Sequence, residues 1–158
     1  MKKLKFVGLC CLMVAALFIV TGCGNKNIEG KLEDIMEKLY AEVPEDNRPM
    51  GLTNMEVNDE NVEGFIGTTK VEYTEAIASE SMVGSIAHSV VLLRVKDVSK
   101  VEEYKKEILE NVNPRKWICV GVEKEEVIVE SKGDLIMVVI VQDESNREKI
   151  AEAFDNLK

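Results

Sequence analysis

Two segments of this chain are apolar on both sides, and they constrain the fold more than anything else in it. In Ile86–Val95, alternation sends Ala87, Val91, Leu93 and Val95 one way and Ile86, Val90 and Leu92 the other. Leu135–Val141 is apolar at every position. A strand with two greasy faces belongs in the middle of a sheet that is covered on each side. The remaining elements must therefore supply an edge and a cover.

The cover is visible at helical spacing. Ile28, Leu32, Ile35, Met36, Leu39 and Val43 form one stripe that ends at Pro44. Residues 44–57 contain Pro49 and Gly51 and read as loop, and Asn58 could cap a short turn through Phe65. Lys70–Ala78 alternates as a half-buried strand, and Ser79–Ser85 is small and polar enough for a connection. Ser99 and Glu102 have the spacing of a capping box ahead of Val101, Tyr104, Ile108 and Val112, and Asn113-Pro114 stops that helix. Trp117–Val122 could be a further short strand. Val127–Val129 and Leu135–Val141 flank the turn Ser131-Lys132-Gly133-Asp134. Ser145 and Glu148 repeat the capping box before a last helix whose face is Ile150, Ala153, Phe154 and Leu157. Asp97, Ser99 and Glu102 recur as Asp143, Ser145 and Glu148 at an offset of 46; two strand-to-helix turns share the same chemistry, and no duplication is inferred. The expected fold is α+β: a two- or three-layer sandwich whose mostly antiparallel sheet has about four strands, with an N-terminal helix and two capping-box helices.

Ahead of this domain stands a leader. Met1–Lys5 is basic, and Phe6–Val20 is uncharged and mostly apolar but shorter than the ~20 residues of a permanent span. Val20-Thr21-Gly22-Cys23 then has the order of a bacterial lipobox, with small residues before a cysteine that takes a diacylglyceryl group. The expected organisation is a signal peptide over 1–22, a lipidated tether over 23–27 and one domain over 28–158. Cys23 is the expected lipidation site, and acyl chains there, palmitate among them, tie the domain to the outer leaflet on the extracytoplasmic side. Cys10 and Cys11 lie in the leader, so Cys119 alone is left in the domain, without a disulfide partner and flanked by Ile118 and Val120. It is expected to be a buried small hydrophobe.

Charge excludes one class of partner. The chain has 20 basic and 29 acidic residues, and losing Lys2, Lys3 and Lys5 with the leader leaves 17 against 29, net -12. That argues against nucleic acid. At 46% hydrophobic the chain is not of disordered composition.

Candidate chemistry is thin. His88, the single histidine, has Ser85 and Ser89 nearby, but both serines point away from it if strand alternation holds, and no Gly-x-Ser-x-Gly elbow occurs. A buried, hydrogen-bonded histidine is the expected role. Asp59, Asn61, Glu63 and Gly64 mimic the start of an EF-hand loop, yet its closing position holds Lys70 in place of glutamate. Glu123, Glu125 and Glu126 read as a solvated turn. No catalytic residue, metal or cofactor is assigned. Arg115-Lys116-Trp117 is the candidate interaction surface, a basic pair beside the sole tryptophan in an acidic chain; the competing role is that Trp117 closes the core while the basic groups pair with acids.

Four runs carry a family resemblance: Glu75-Ala76-Ile77-Ala78, Ser85–Val95, Asn113–Val120 and Lys132-Gly133-Asp134. Together they resemble the family called domain of unknown function 4358, small lipoproteins mainly of clostridium-like Gram-positive bacteria. The resemblance spans roughly residues 30–158, and residues 87–89 and 114–120 carry most of its specificity. It implies location and class and transfers no catalytic residue. The expected function is a non-enzymatic binding or interaction module of the cell envelope, held to the membrane through Cys23, with an envelope protein as candidate partner. The alternatives are a small envelope hydrolase using His88 and a solute-binding lipoprotein.

Overall fold

The computed structural model describes residues 27–158. The expected signal peptide over 1–22 and the expected lipidation site Cys23 lie outside the described residues. Within them the fold is α+β, built on a five-stranded antiparallel sheet with four helices. The chain runs α1 (Leu32–Ala41), β1 (Leu52–Glu56), α2 (Val62–Ile66), β2 (Tyr73–Ser81), β3 (His88–Val95), α3 (Val101–Asn111), β4 (Ile128–Lys132), β5 (Leu135–Val141) and α4 (Glu144–Asp155). The strand order is β1-β2-β3-β5-β4. The two strands with two apolar faces are therefore inner neighbours, paired from His88↔Val141 to Arg94↔Leu135.

Period-two alternation divides the core as the sequence implies. Val91, Leu93 and Val95 join Ile136, Val138 and Ile140 on the face covered by Val62 and Ile66 of α2 and Tyr104 and Ile108 of α3. Val90 and Leu92 join Leu135, Met137, Val139 and Val141 on the other face, under Leu32, Ile35, Met36 and Leu39 of α1 and Ile150 and Phe154 of α4. Every residue of β5 is fully buried.

Several local expectations are corrected. β1 lies in the stretch 44–57 that reads as loop. β2 extends to Ser81, taking three residues from the expected connection. Trp117–Val122 forms no strand. Neither serine capping box forms: Asp97 accepts the Ser99 N–H ahead of a 3-10 turn that leads into α3, and Asp143 accepts the Asn146 N–H at 2.8 Å to cap α4. A carboxylate two residues earlier binds the free N–H groups and matches the helix dipole, so the serine is displaced. Cys119 is exposed, not core, and sits at φ 66° in an irregular loop. Apolar neighbours predict burial only inside a periodic element, and here Ile118 beside it is 78% exposed.

The sheet has two structurally different ends. The described chain enters at the end where β3 finishes. A side chain on Gly133, at φ 60° in the β4–β5 turn, would strike Asn27, its Cβ 2.8 Å from the Asn27 Cα. Arg94 fastens the entering segment, donating to the Ile28 carbonyl at 2.7 Å and the Gly30 carbonyl at 3.0 Å while pairing with Glu75 and Asp134. The opposite end, where β3 begins, lies about 24 Å away along the eight-residue strand. It gathers the loop after α1, the β2–β3 connection, the start of α4 and the loop after α3.

Candidate functional site

At that far end the adjacent residues His88 and Ser89 point to opposite faces of β3, and each meets a polar group from its own cover. On the α2/α3 face, the loop after α3 turns Lys116 inward. Its Nζ donates to Glu80 and lies 3.3 Å from the Ser89 Oγ. It also sits 5.0 Å from the Phe65 ring centroid and 5.2 Å from that of Trp117. Burial lowers the Lys116 pKa more than Glu80 raises it. Trp117 is half-buried against the core, and Arg115 is exposed and paired with Glu123. The candidate trio is thus split: one residue inside, one at the boundary, one in solvent.

On the other face, His88 is 2% exposed and its Nε2 shares a 2.7 Å hydrogen bond with the Tyr40 hydroxyl of α1. Burial pushes the imidazole down to about 4, against a smaller opposing effect of Asp143, so the ring is neutral near pH 7. Burial raises the Tyr40 phenol, which stays protonated. The expected buried, hydrogen-bonded histidine is what the fold contains.

Beside His88 opens a hollow of about 450 Å³. Its walls come from Asn47 and Pro49 after α1, Ser85–His88 before and at the start of β3, and Gln142, Asp143 and Asn146 around the α4 N-terminus. Asn146 is 4% exposed; its Nδ2 donates to the Asn47 carbonyl at 2.7 Å, and its Oδ1 has no partner among the described residues. Buried polar atoms without partners are uncommon, and this one, itself without accessible surface, belongs to a residue that lines the hollow. A larger open groove of about 640 Å³ runs past Leu32, Asn54, Tyr73 and Glu75, but its lining includes none of the unpartnered atoms.

Ser85, His88 and Asp143 all line the hollow. Among the described residues, Ser85 makes no hydrogen bond to His88. His88 Nε2 is taken by Tyr40, and one Asp143 oxygen is taken by the α4 backbone. Ser89 is fully buried on the opposite face. Among the described residues no serine–histidine hydrogen bond of the kind that activates a nucleophile joins these groups. Among the described residues no group of three His, Cys, Asp or Glu could hold a metal, and no helix is long and apolar enough to cross a membrane.

Sequence reasoning singled out Lys116 and passed over Asn146, Asp143 and Asn47. The only signal for the latter group was the Asp97/Asp143 repeat, which points to a cap and not to a cavity. No family model matches this chain, and no curated protein or solved structure matches it.

Proposed function

We propose that this protein is a lipid-anchored extracytoplasmic lipoprotein whose domain is a non-enzymatic binding module, and that it binds through the far end of its sheet. The observation that carries this reading is the polar hollow with the unpartnered Asn146 Oδ1, set at the end of β3 opposite to Arg94 and the entering chain. A domain tied through Cys23 would hold its near end toward the membrane and present the hollow outward. The lipobox and the resemblance to domain of unknown function 4358 lipoproteins support the location.

The test has two parts in intact cells. Cys23→Ala should abolish incorporation of a labelled fatty acid. A photo-crosslinker replacing Ser85, exposed at the hollow, should join the protein to an envelope component, whereas one replacing the exposed Lys31 at the near end should not. Equal labelling of the Cys23 variant would place the lipid elsewhere. Equal capture from both crosslinker positions would refute binding through the far end.

A further inference from the structure

We propose that the outer edge of β1 docks an extended, lysine- or arginine-rich segment of a partner protein, which adds to the sheet as a further strand. Such docking goes beyond the far-end binding above and needs neither Cys23 nor the hollow.

The backbone of β1 is half unpaired. The strand ends the sheet and pairs only with β2. The Val57 N–H donates to the Ala76 carbonyl at 3.1 Å, and the Met82 N–H donates to the Gly51 carbonyl at 3.0 Å. In an antiparallel ladder such bonded pairs alternate, so Thr53 and Met55 bond to β2 while Leu52, Asn54 and Glu56 turn their peptide groups outward. Among the described residues, the N–H groups of Leu52, Asn54 and Glu56 and the carbonyls of Leu52 and Asn54 meet no partner; the Glu56 carbonyl accepts from Asn61 Nδ2 at 3.1 Å. Edges are ordinarily blunted by proline, lysine, a bulge or a covering element. The register of β1 is unbroken, and Leu-Thr-Asn-Met-Glu contains neither proline nor lysine. The opposite edge differs: β4 carries Glu130 and Lys132 and packs against α3 and α4.

The surface beside that edge sets the chemistry of the occupant. Glu56 lies opposite Ile77, so Leu52, Asn54 and Glu56 share the face that α1 covers. Two hollows meet at Asn54 to make one groove between β1 and α1. One, of about 500 Å³, reaches Glu37 and Leu52; the other, of about 640 Å³, reaches Glu33 and Glu56. Glu33, Glu37 and Glu56 are exposed, and none is in an ion pair among the described residues. The two cations in the lining do not answer them. Arg48 is spent on the Val43 and Tyr40 carbonyls, and Lys96 lies beside Glu72, beyond the stretch of β2 that β1 covers. A strand laid against β1 points every second side chain over this groove. A lysine or arginine there rests its stem on half-buried Leu52 and carries its charge to the acidic rim. A second copy is the wrong occupant. Pairing two β1 strands about Asn54 sets both acidic rims against each other, in a chain with 29 acidic and 20 basic residues.

The probe is the peptide acetyl-Lys-Val-Lys-Thr-Lys-Val-Lys-amide, titrated into the full chain in non-ionic detergent at about 0.05 M salt, where screening is weak. NMR should show saturable binding, with hydrogen exchange slowed at the Leu52, Asn54 and Glu56 amides and changed less at Thr53 and Met55, which already bond to β2. The same peptide with glutamate for every lysine should not bind. Asn54→Pro removes an outward donor and spares the β2 ladder, which an edge position tolerates; it should weaken the peptide about tenfold. Glu33→Gln with Glu37→Gln should weaken it about fivefold and flatten its salt dependence. Both glutamates are exposed on α1, so this variant keeps the test decisive even where the proline variant fails to fold. Equal binding of the glutamate peptide, unchanged exchange of the three amides at saturation, or a glutamine variant that binds like the parent would overturn the proposal. A concentration-dependent dimer with the three amides protected in the absence of peptide would overturn it in favour of a second copy. None of these outcomes changes what the Ser85 crosslinker captures, so edge docking and far-end binding stand or fall separately.

Discussion

Lys116 is held by opposing forces at the level of single side chains. Its burial disfavours the charge, while Glu80 and two aromatic rings favour it. The side chains of the pair are only 17% and 15% exposed. Removing Lys116 alone leaves Glu80 without its partner in a poorly hydrated site, so Lys116→Met should cost about 3 kcal/mol, the low end for breaking a buried pair. The double variant Lys116→Met, Glu80→Gln should recover most of that loss. Urea denaturation of both checks this; equal losses would mean that the pair is not coupled. His88 sets a pH dependence. Its imidazole is depressed from 6.5 to about 4, so between those values the unfolded chain binds a proton that the folded chain refuses. Stability present above pH 6.5 is lost as pH falls toward 4, by about 3 kcal/mol in all. His88→Gln should flatten that part of the urea-midpoint profile, and an unchanged slope would show that His88 is not responsible. Glu107, depressed chiefly by its hydrogen bond from Lys70, adds acid sensitivity below its ordinary range and does so in both proteins. The burial of His88 was legible because its strand is apolar on both faces. Asn146 was not, since a polar residue in the first turn of a helix reads as ordinary solvent-facing chemistry.

Among the elements, legibility follows periodicity. β3, β5 and the stripe of α1 are strong repeats, and the fold places them where the pattern says. β1 carries no such pattern: Leu52-Thr53-Asn54-Met55-Glu56 is flanked by Gly51 and is mostly exposed, as an edge strand with one paired side can be. It exists because β2 offers an unpaired edge, which is a tertiary cause invisible in the local sequence. Hydrogen exchange should rank the strands accordingly. Backbone amides of β5 and β3, inside the sheet with both faces covered, should exchange only through global unfolding, while β1 opens locally and faster. Exchange of β1 as slow as β5 would mean that something else covers its outer edge. The helix starts show the other failure of local reading. The spacing Ser-x-x-Glu was present twice, but Asp97 caps the 3-10 turn ahead of α3 and Asp143 caps α4, each carboxylate taking a free N–H group.

The whole molecule was legible as a class and not as a site. One acidic domain with a greasy two-faced sheet follows from composition and alternation. The hollow does not, because it is assembled from three segments, and the bond that shapes it joins residues 99 positions apart. Arg94 was equally hidden as a long-range fastener, although it closes the end where the chain enters. That fastening has a mechanical consequence. If the anchor holds the N-terminal side while a partner grips the far end, tension runs along the strands. The ladder hydrogen bonds between β3 and β5 then bear the load side by side, in shear, and cannot be peeled one at a time. The first element to feel the pull is the guanidinium of Arg94, which spreads it over two carbonyls and two carboxylates before it reaches the sheet. If the domain is tethered as proposed, this wiring makes it a tie that is stiff along the one direction in which a leash can drag it.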